Sequence, residues 1–328
     1  MTTYQAPFPY AGGKSAIAQV IWTALGPVAN YIEPLCGSAA VLLARPHEPG
    51  TETINDLDGF VVNAYRAIQC DPEAVAQWAD WPVSECDLHA RHAWLITQRE
   101  RLTMKLEGDP DYSDAKMAGW WIWGACGWIG SGWCSGQGPW QVTDGELIHL
   151  GDAGRGIHRK LPHLGNAGQG IHRQLPHLGN AGQGIRDYLI ALSERLRRVR
   201  ITCGPWDRVL GPSVTWRHGL SGIFLDPPYR EDEHSFGYVA GGDIWEDCWQ
   251  WAMTYGSRPD LRIVLAGYDD GRVPPDGWRM ERWKARGGYG SQGQGQGREN
   301  CQREVLYCSP ACLLGQGQLW LFPLEASA

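Results

Sequence analysis

Ile223-Phe224-Leu225 runs directly into Asp226-Pro227-Pro228-Tyr229, an apolar triplet followed by an acid, two prolines and an aromatic. The triplet reads as a short buried strand, and in an open α/β sheet ligands bind outside the carboxyl ends of the strands. The prolines fix φ and carry no N–H, so their carbonyls have no competing local donor. A carboxylate and a proline carbonyl make two acceptors, a match for the two protons of an exocyclic amine. Tyr229 supplies a face on which the amine's ring can stack. The alternative is that Asp-Pro-Pro is a turn closing a strand.

The elements that must position such a group lie far upstream. Tyr10-Ala11-Gly12-Gly13-Lys14 places two glycines where a backbone can approach a ligand closely, and Ser15-Ala16-Ile17 is predicted to open a helix whose free N–H groups face that ligand. The spacing is not that of a phosphate-binding loop, which needs Gly-x4-Gly-Lys-Ser/Thr. Asn30 to Leu43 reads as strand, glycine turn and helix, with Glu33-Pro34-Leu35-Cys36-Gly37-Ser38 forming the turn. Ala39 stands where a second glycine is usual, which a negative φ would accommodate. Thr53 to Asp58 is a second strand ending in acids, about 20 residues beyond the glycine turn, where a ribose hydroxyl is usually bound.

Pro9 to Lys14, Glu33 to Ala39, the Asn55-Asp56 pair and Asp226 to Tyr229, in that order, resemble the motifs of the DNA adenine methylase (Dam) family in its alpha-type arrangement. The resemblance implies transfer of a methyl group from S-adenosylmethionine (AdoMet) to N6 of adenine in DNA. It further implies a flipped base and direct in-line transfer. The fold it implies is α/β: a doubly wound Rossmann-like methyltransferase sheet with an inserted, mainly helical target-recognition domain. Tyr10, Ala11, Gly12, Gly13, Lys14, Glu33, Pro34, Leu35, Cys36, Gly37, Ser38, Asp56 and Asp226 would hold AdoMet. Asp56 takes the ribose and Asp58 starts the next helix. Asp226, Pro227, Pro228 and Tyr229 would be catalytic. In the family an acid commonly follows the glycine at the end of the next strand; here Pro205 stands there and Asp207 is the nearest acid. RNA adenine, N4 of cytosine and a non-catalytic DNA-binding relative are the alternatives. A cognate restriction endonuclease is a further partner compatible with the family.

The expected organisation is residues 1–60 as the AdoMet half, 61–185 as the insertion and 186–328 as the catalytic half. Helical periodicity from Phe60 to Trp81 and from Leu88 to Leu106 gives way to a Gly/Trp-rich stretch, Gly119 to Trp140. Tryptophans there read first as a small helical core; of them, Trp128 and Trp133, beside glycines, are the candidates to wedge into DNA. A 14-residue repeat begins at His149 and runs, with a partial third copy, to Ile185. It reads as a duplicated loop, or else as a DNA contact through Arg155, Arg159, Lys160 and Arg173.

Net charge is −7, against a uniformly basic binder, yet Arg155 to Arg217 holds eleven basic and three acidic residues. Such segregation provides a basic surface for phosphates. The ten cysteines are scattered and favour neither a zinc site nor a disulfide framework. No long apolar run and no signal-peptide pattern occur, so a cytoplasmic protein without membrane contact or metal is expected. Arg230 to Gly242 is a candidate lid or surface loop, and Gly287 to Gly297 is expected to lack order without DNA. Leu261 to Ala266 reads as a strand, with Glu304 to Tyr307 and Leu319 to Phe322 as terminal antiparallel strands.

Overall fold

The computed structural model describes residues 4–10, 12–128, 133–134, 140–149, 184–228, 244–283 and 304–313. Five strands run parallel: β1 (Asn30–Glu33), β2 (Thr51–Asp56), β5 (Val199–Cys203), β6 (Ser221–Leu225) and β7 (Leu261–Tyr268). Ile223 to Leu225 and Ile263 to Ala266 are continuous apolar runs suited to strands covered on both faces, whereas β1 and β2 bury polar residues beside Ile32 and Ile54, and β5 alternates buried with more exposed positions. Two antiparallel strands, β8 (Arg279–Arg282) and β9 (Glu304–Cys308), complete a seven-stranded sheet of order β5-β2-β1-β6-β7-β9-β8. The expected α/β sheet is therefore present. The edge partner of β9 is Arg279–Arg282, a strand not anticipated; Leu319 to Phe322 lies outside the described residues.

From β1 the chain steps outward to β2 and β5, then returns to lay β6 on the other side of β1 and continues to β7. The strand order thus reverses between β1 and β6, whose pairing sets Ile32 beside Ile223. The carboxyl ends of these two strands carry Glu33 and Asp226. A reversal of this kind leaves a crevice between diverging connections.

Helices α1 (Ala18–Leu25), α3 (Gly59–Cys70), α7 (Ile185–Leu196) and α8 (Ile244–Tyr255) flank the sheet, and a single turn, α2 (Ala40–Leu43), follows β1. The first of these starts at Ala18, three residues later than expected, after a turn over residues 15–17. Outside α3 lie α4 (Pro72–Ala79), α5 (Glu85–Gly108) and α6 (Ala115–Gly127), the first two where helical periodicity is expected. Local chemistry starts each one: Asp71, Ser84 and Asp114 accept N–H bonds at the helix starts, with Pro72 in the first turn of α4. A hairpin of β3 (Trp140–Thr143) and β4 (Glu146–His149) follows, turning at Asp144 and Gly145, both at positive φ.

The tryptophans of this segment pack against its helices. Trp123 Nε1 donates to Trp81 O at 2.9 Å, and Trp133 Nε1 to Trp121 O at 3.0 Å. Gly124 leaves the seat for the Trp133 ring, since a Cβ there would lie 1.8 Å from it. Arg91 covers the Trp123 face at 4.1 Å and Lys116 the Trp120 face at 4.4 Å. No helix of the described residues is long and apolar enough to cross a membrane.

A buried ion triad ties the returning chain to the sheet. Glu52 on β2 receives Arg195 of α7 at 2.7 and 2.9 Å, and Arg45 at 3.1 Å. The arginines also bond Leu42 O and Val28 O, which satisfies further donors. Removing one partner of a buried ion pair leaves the other charge uncompensated, at about 3–5 kcal/mol. Glu52→Ala is accordingly expected to lower unfolding free energy by about 3 kcal/mol or more, measured by urea denaturation.

Candidate active site

The N-terminal segment reaches the crevice through its glycines. Gly12 adopts φ +74°, and Gly13 N–H bonds Tyr10 O at 3.2 Å. That bend carries Lys14 inward until it is 5% exposed. Its Nζ donates to Gly12 O at 2.8 Å and meets Asp226 Oδ1 at 2.9 Å. Asp226 follows β6 and is 20% exposed, with Pro227 buried and Pro228 half-buried behind it. The ion pair presents Asp226 as a carboxylate, an acceptor-only group. Tyr229, Ala11 and the candidate lid lie outside the described residues, as do Arg155, Arg159, Lys160 and Arg173.

Next to this pair is the turn after β1. Gly37 adopts φ +46° and lies under the Tyr10 ring, where a Cβ would come within 2.5 Å of Cε1. Glycine is required there on both grounds. Ala39 also adopts φ +46°, so its replacement of glycine is accommodated by a left-handed alanine and not by the negative φ expected. Such a conformation costs roughly 1–2 kcal/mol for a residue bearing Cβ. It persists because the turn is held from several sides. Cys36 N–H bonds Asn55 O at 2.9 Å, Gly37 N–H bonds Asp56 Oδ2 at 2.8 Å, and Tyr65 Oη donates to Ser38 O at 2.6 Å. Leu35, Cys36 and Ser38 are buried, and Asn55 Nδ2 bonds both Pro34 O and Gly204 O.

Asp56, expected to bind a ribose, is 1% exposed. One oxygen accepts from Gly37 and the other from Asp58 N–H at 2.9 Å, so in this structure it organises the turn. Asp58 caps α3, as expected, by accepting from Phe60 N–H. Pro205 precedes a 3-10 turn, Trp206–Val209, that leaves Asp207 exposed. Tyr65 and the bridging amide of Asn55 escaped sequence reasoning. Tyr65 reads there only as one more apolar position of a helix, and the Asn55-Asp56 motif does not show that the Asn55 amide bridges two carbonyls.

Trp128 and Trp133, selected as candidate DNA wedges, belong to the helical core. Trp128 is buried, and both rings pack on His92, at centroid distances of 4.8 and 5.0 Å. A ring held that way would have to leave its pocket to enter a duplex, so the packing reading of these tryptophans is the one the structure supports.

Glu33, at the end of β1, is 2% exposed; its Oε2 accepts from Tyr31 Oη and from Leu42 N–H, both at 3.1 Å. Burial pushes its carboxyl up to about 8, against the two hydrogen bonds, with Asp226 adding repulsion. Burial likewise pushes Asp56 up to about 6, opposed by its backbone N–H partners. Three carboxyl groups, Glu33, Asp56 and Asp226, thus lie around the glycine turn, and their acceptor oxygens suit a cationic, hydroxyl-bearing ligand, with Asp226 the most exposed of them. Among the described residues no cluster of His, Cys, Asp or Glu could hold a metal ion.

Residues 10–82 match the family model of the D12 class N6 adenine-specific DNA methyltransferases. The matched stretch contains the glycine–lysine segment, the turn after β1 and the Asn55-Asp56 pair, and the resemblance read from those motifs is borne out. The family is one of transferase enzymes. No curated protein matches the chain.

The raised carboxyls have a consequence for stability. Both bind a proton more tightly folded than unfolded, so the stability they contribute is present below their ordinary values of 4.5 and 3.8. It is lost as pH rises to about 8 for Glu33 and about 6 for Asp56. Between about pH 6 and 8 the urea midpoint of the ligand-free protein is expected to fall, and to fall less steeply in Glu33→Gln.

Proposed function

We propose that this chain, a D12 class adenine methyltransferase by its residues 10–82, transfers a methyl group from AdoMet to N6 of adenine in DNA. The observation that carries the reading is the meeting of Lys14, Asp226 and the Gly37 turn at the point where the strand order reverses. AdoMet, when bound, supplies an electrophilic methyl group on a sulfonium. Tyr10 to Lys14, Glu33 to Ser38 and Asp56 would hold it. The positive-φ glycines allow close backbone approach, and the carboxyls suit its positive charge and ribose hydroxyls.

An amine on an aromatic ring is a weak nucleophile because its lone pair is delocalised. Asp226 and the Pro227 carbonyl would accept hydrogen bonds from its two N–H groups, drawing the nitrogen towards tetrahedral geometry and freeing the lone pair. Tyr229 would stack on the base, which must leave the duplex because its amine is otherwise paired. Lys14 holds the carboxylate through Oδ1 and fixes its position ahead of the substrate. Alignment of amine and methyl would supply several kcal/mol of the barrier, and as the methyl passes from sulfur to nitrogen the amine would lose one proton to solvent. The basic run from Arg155 to Arg217 offers the charge to hold DNA phosphates.

Labelled AdoMet incubated with unmethylated DNA is expected to leave label in N6-methyladenosine. Asp226→Ala should reduce transfer by at least about 10²-fold, the scale seen when one preorganised hydrogen-bonding group is removed. Label in cytosine would overturn the base assignment. AdoMet binding without transfer to DNA or RNA would favour a non-catalytic DNA-binding relative.

A further inference from the structure

Glu33 is a carboxyl sealed at the end of β1 without a counter-ion. Among the described residues every nearby cation is committed elsewhere: Lys14 to Asp226, Arg45 and Arg195 to Glu52. The groups that face it are Tyr31 on its own strand, Cys36 in the next turn, Tyr65 from α3, Glu52 from β2 and Asp226 from β6. All are neutral or acidic, so none compensates a negative charge on Glu33. Its two hydrogen bonds both fall on Oε2. A carboxylate excluded from water and unpaired is expected to take up a proton instead of remaining charged.

AdoMet carries a sulfonium and an ammonium, the positive charge this position lacks. We propose that Glu33 is a proton-coupled counter-ion for the cofactor: neutral in the free protein, it ionises when the cationic ligand enters and releases its proton to solvent. This rests on the AdoMet reading above. The consequence is a cofactor affinity that rises with pH through the neutral range, because the bound state holds one proton fewer.

Titration calorimetry with AdoMet, at about pH 6.5 in two buffers of different ionisation heat, counts the proton directly; the ligand's own amine, of pKa about 7.7–8.0, stays charged there. The wild-type protein should release close to one proton per AdoMet bound. Its affinity should rise between about pH 6 and 7.5, by on the order of tenfold per unit at most. Glu33→Gln should release none and show a flat profile. AdoMet binding by the wild-type protein without proton release overturns the proposal, and that count stands alone if the variant fails to fold. Equal release from Glu33→Gln also overturns it, by assigning the proton to another group. Absence of AdoMet binding at every pH would instead overturn the cofactor reading, and this inference with it.

Discussion

The adjacency of β1 and β6 is the constraint on which the rest of the structure depends. Parallel strands must return to their starting edge before pairing again, so each connection crosses a face of the sheet. Where the order reverses, two connections leave in opposite directions and the strand ends between them are left for other segments to close. Glu33 and Asp226 occupy those ends, though 193 positions separate their numbers in the chain. The N-terminal glycine segment closes over the same place, which is how Lys14 reaches Asp226.

Holding that crevice open requires rigidity below it. The turn after β1 contains two demands on the backbone either side of Ser38, Gly37 and Ala39 at positive φ, and only the glycine meets its demand without strain. Asp56, Asn55 and Tyr65 bond the turn from β2 and α3, so its geometry is set by the sheet and not by its own preferences. Farther down, the Glu52 triad locks α7 to β2. Helices α4 to α6 and the hairpin intervene between α3 and α7 in the chain, and this lock fixes where α7 meets the sheet.

The segment between α3 and α7 solves a different problem. Its helices α4, α5 and α6 bury leucines and isoleucines such as Leu88, Leu95, Leu102 and Ile122, and tryptophans fill much of the remaining space. Indole rings need room and partners for their N–H groups. Gly119 and Gly124 provide the room, and Trp81 O and Trp121 O accept two of the bonds. Arg91 and Lys116 cover ring faces that would otherwise meet water.

Much of this was determined by the sequence alone. Apolar runs marked β6 and β7, as expected of strands covered on both faces, while the glycine turn and the acids that follow marked β1 and β2. Spacing marked α3 to α5 and α7, and the order of short motifs marked the residues that meet in the crevice. Those signals are local, and local chemistry is what a sequence displays. Only the tertiary structure decided the rest. It placed Trp128 and Trp133 in a core, since a tryptophan beside a glycine reads the same whether the glycine seats a ring or frees a loop. It turned Ala39 left-handed against expectation, because the contacts that impose that φ come from β2 and α3. It made Glu33 a buried carboxyl without a counter-ion, a property set by where Lys14, Arg45 and Arg195 find their partners, and no spacing along the chain encodes that.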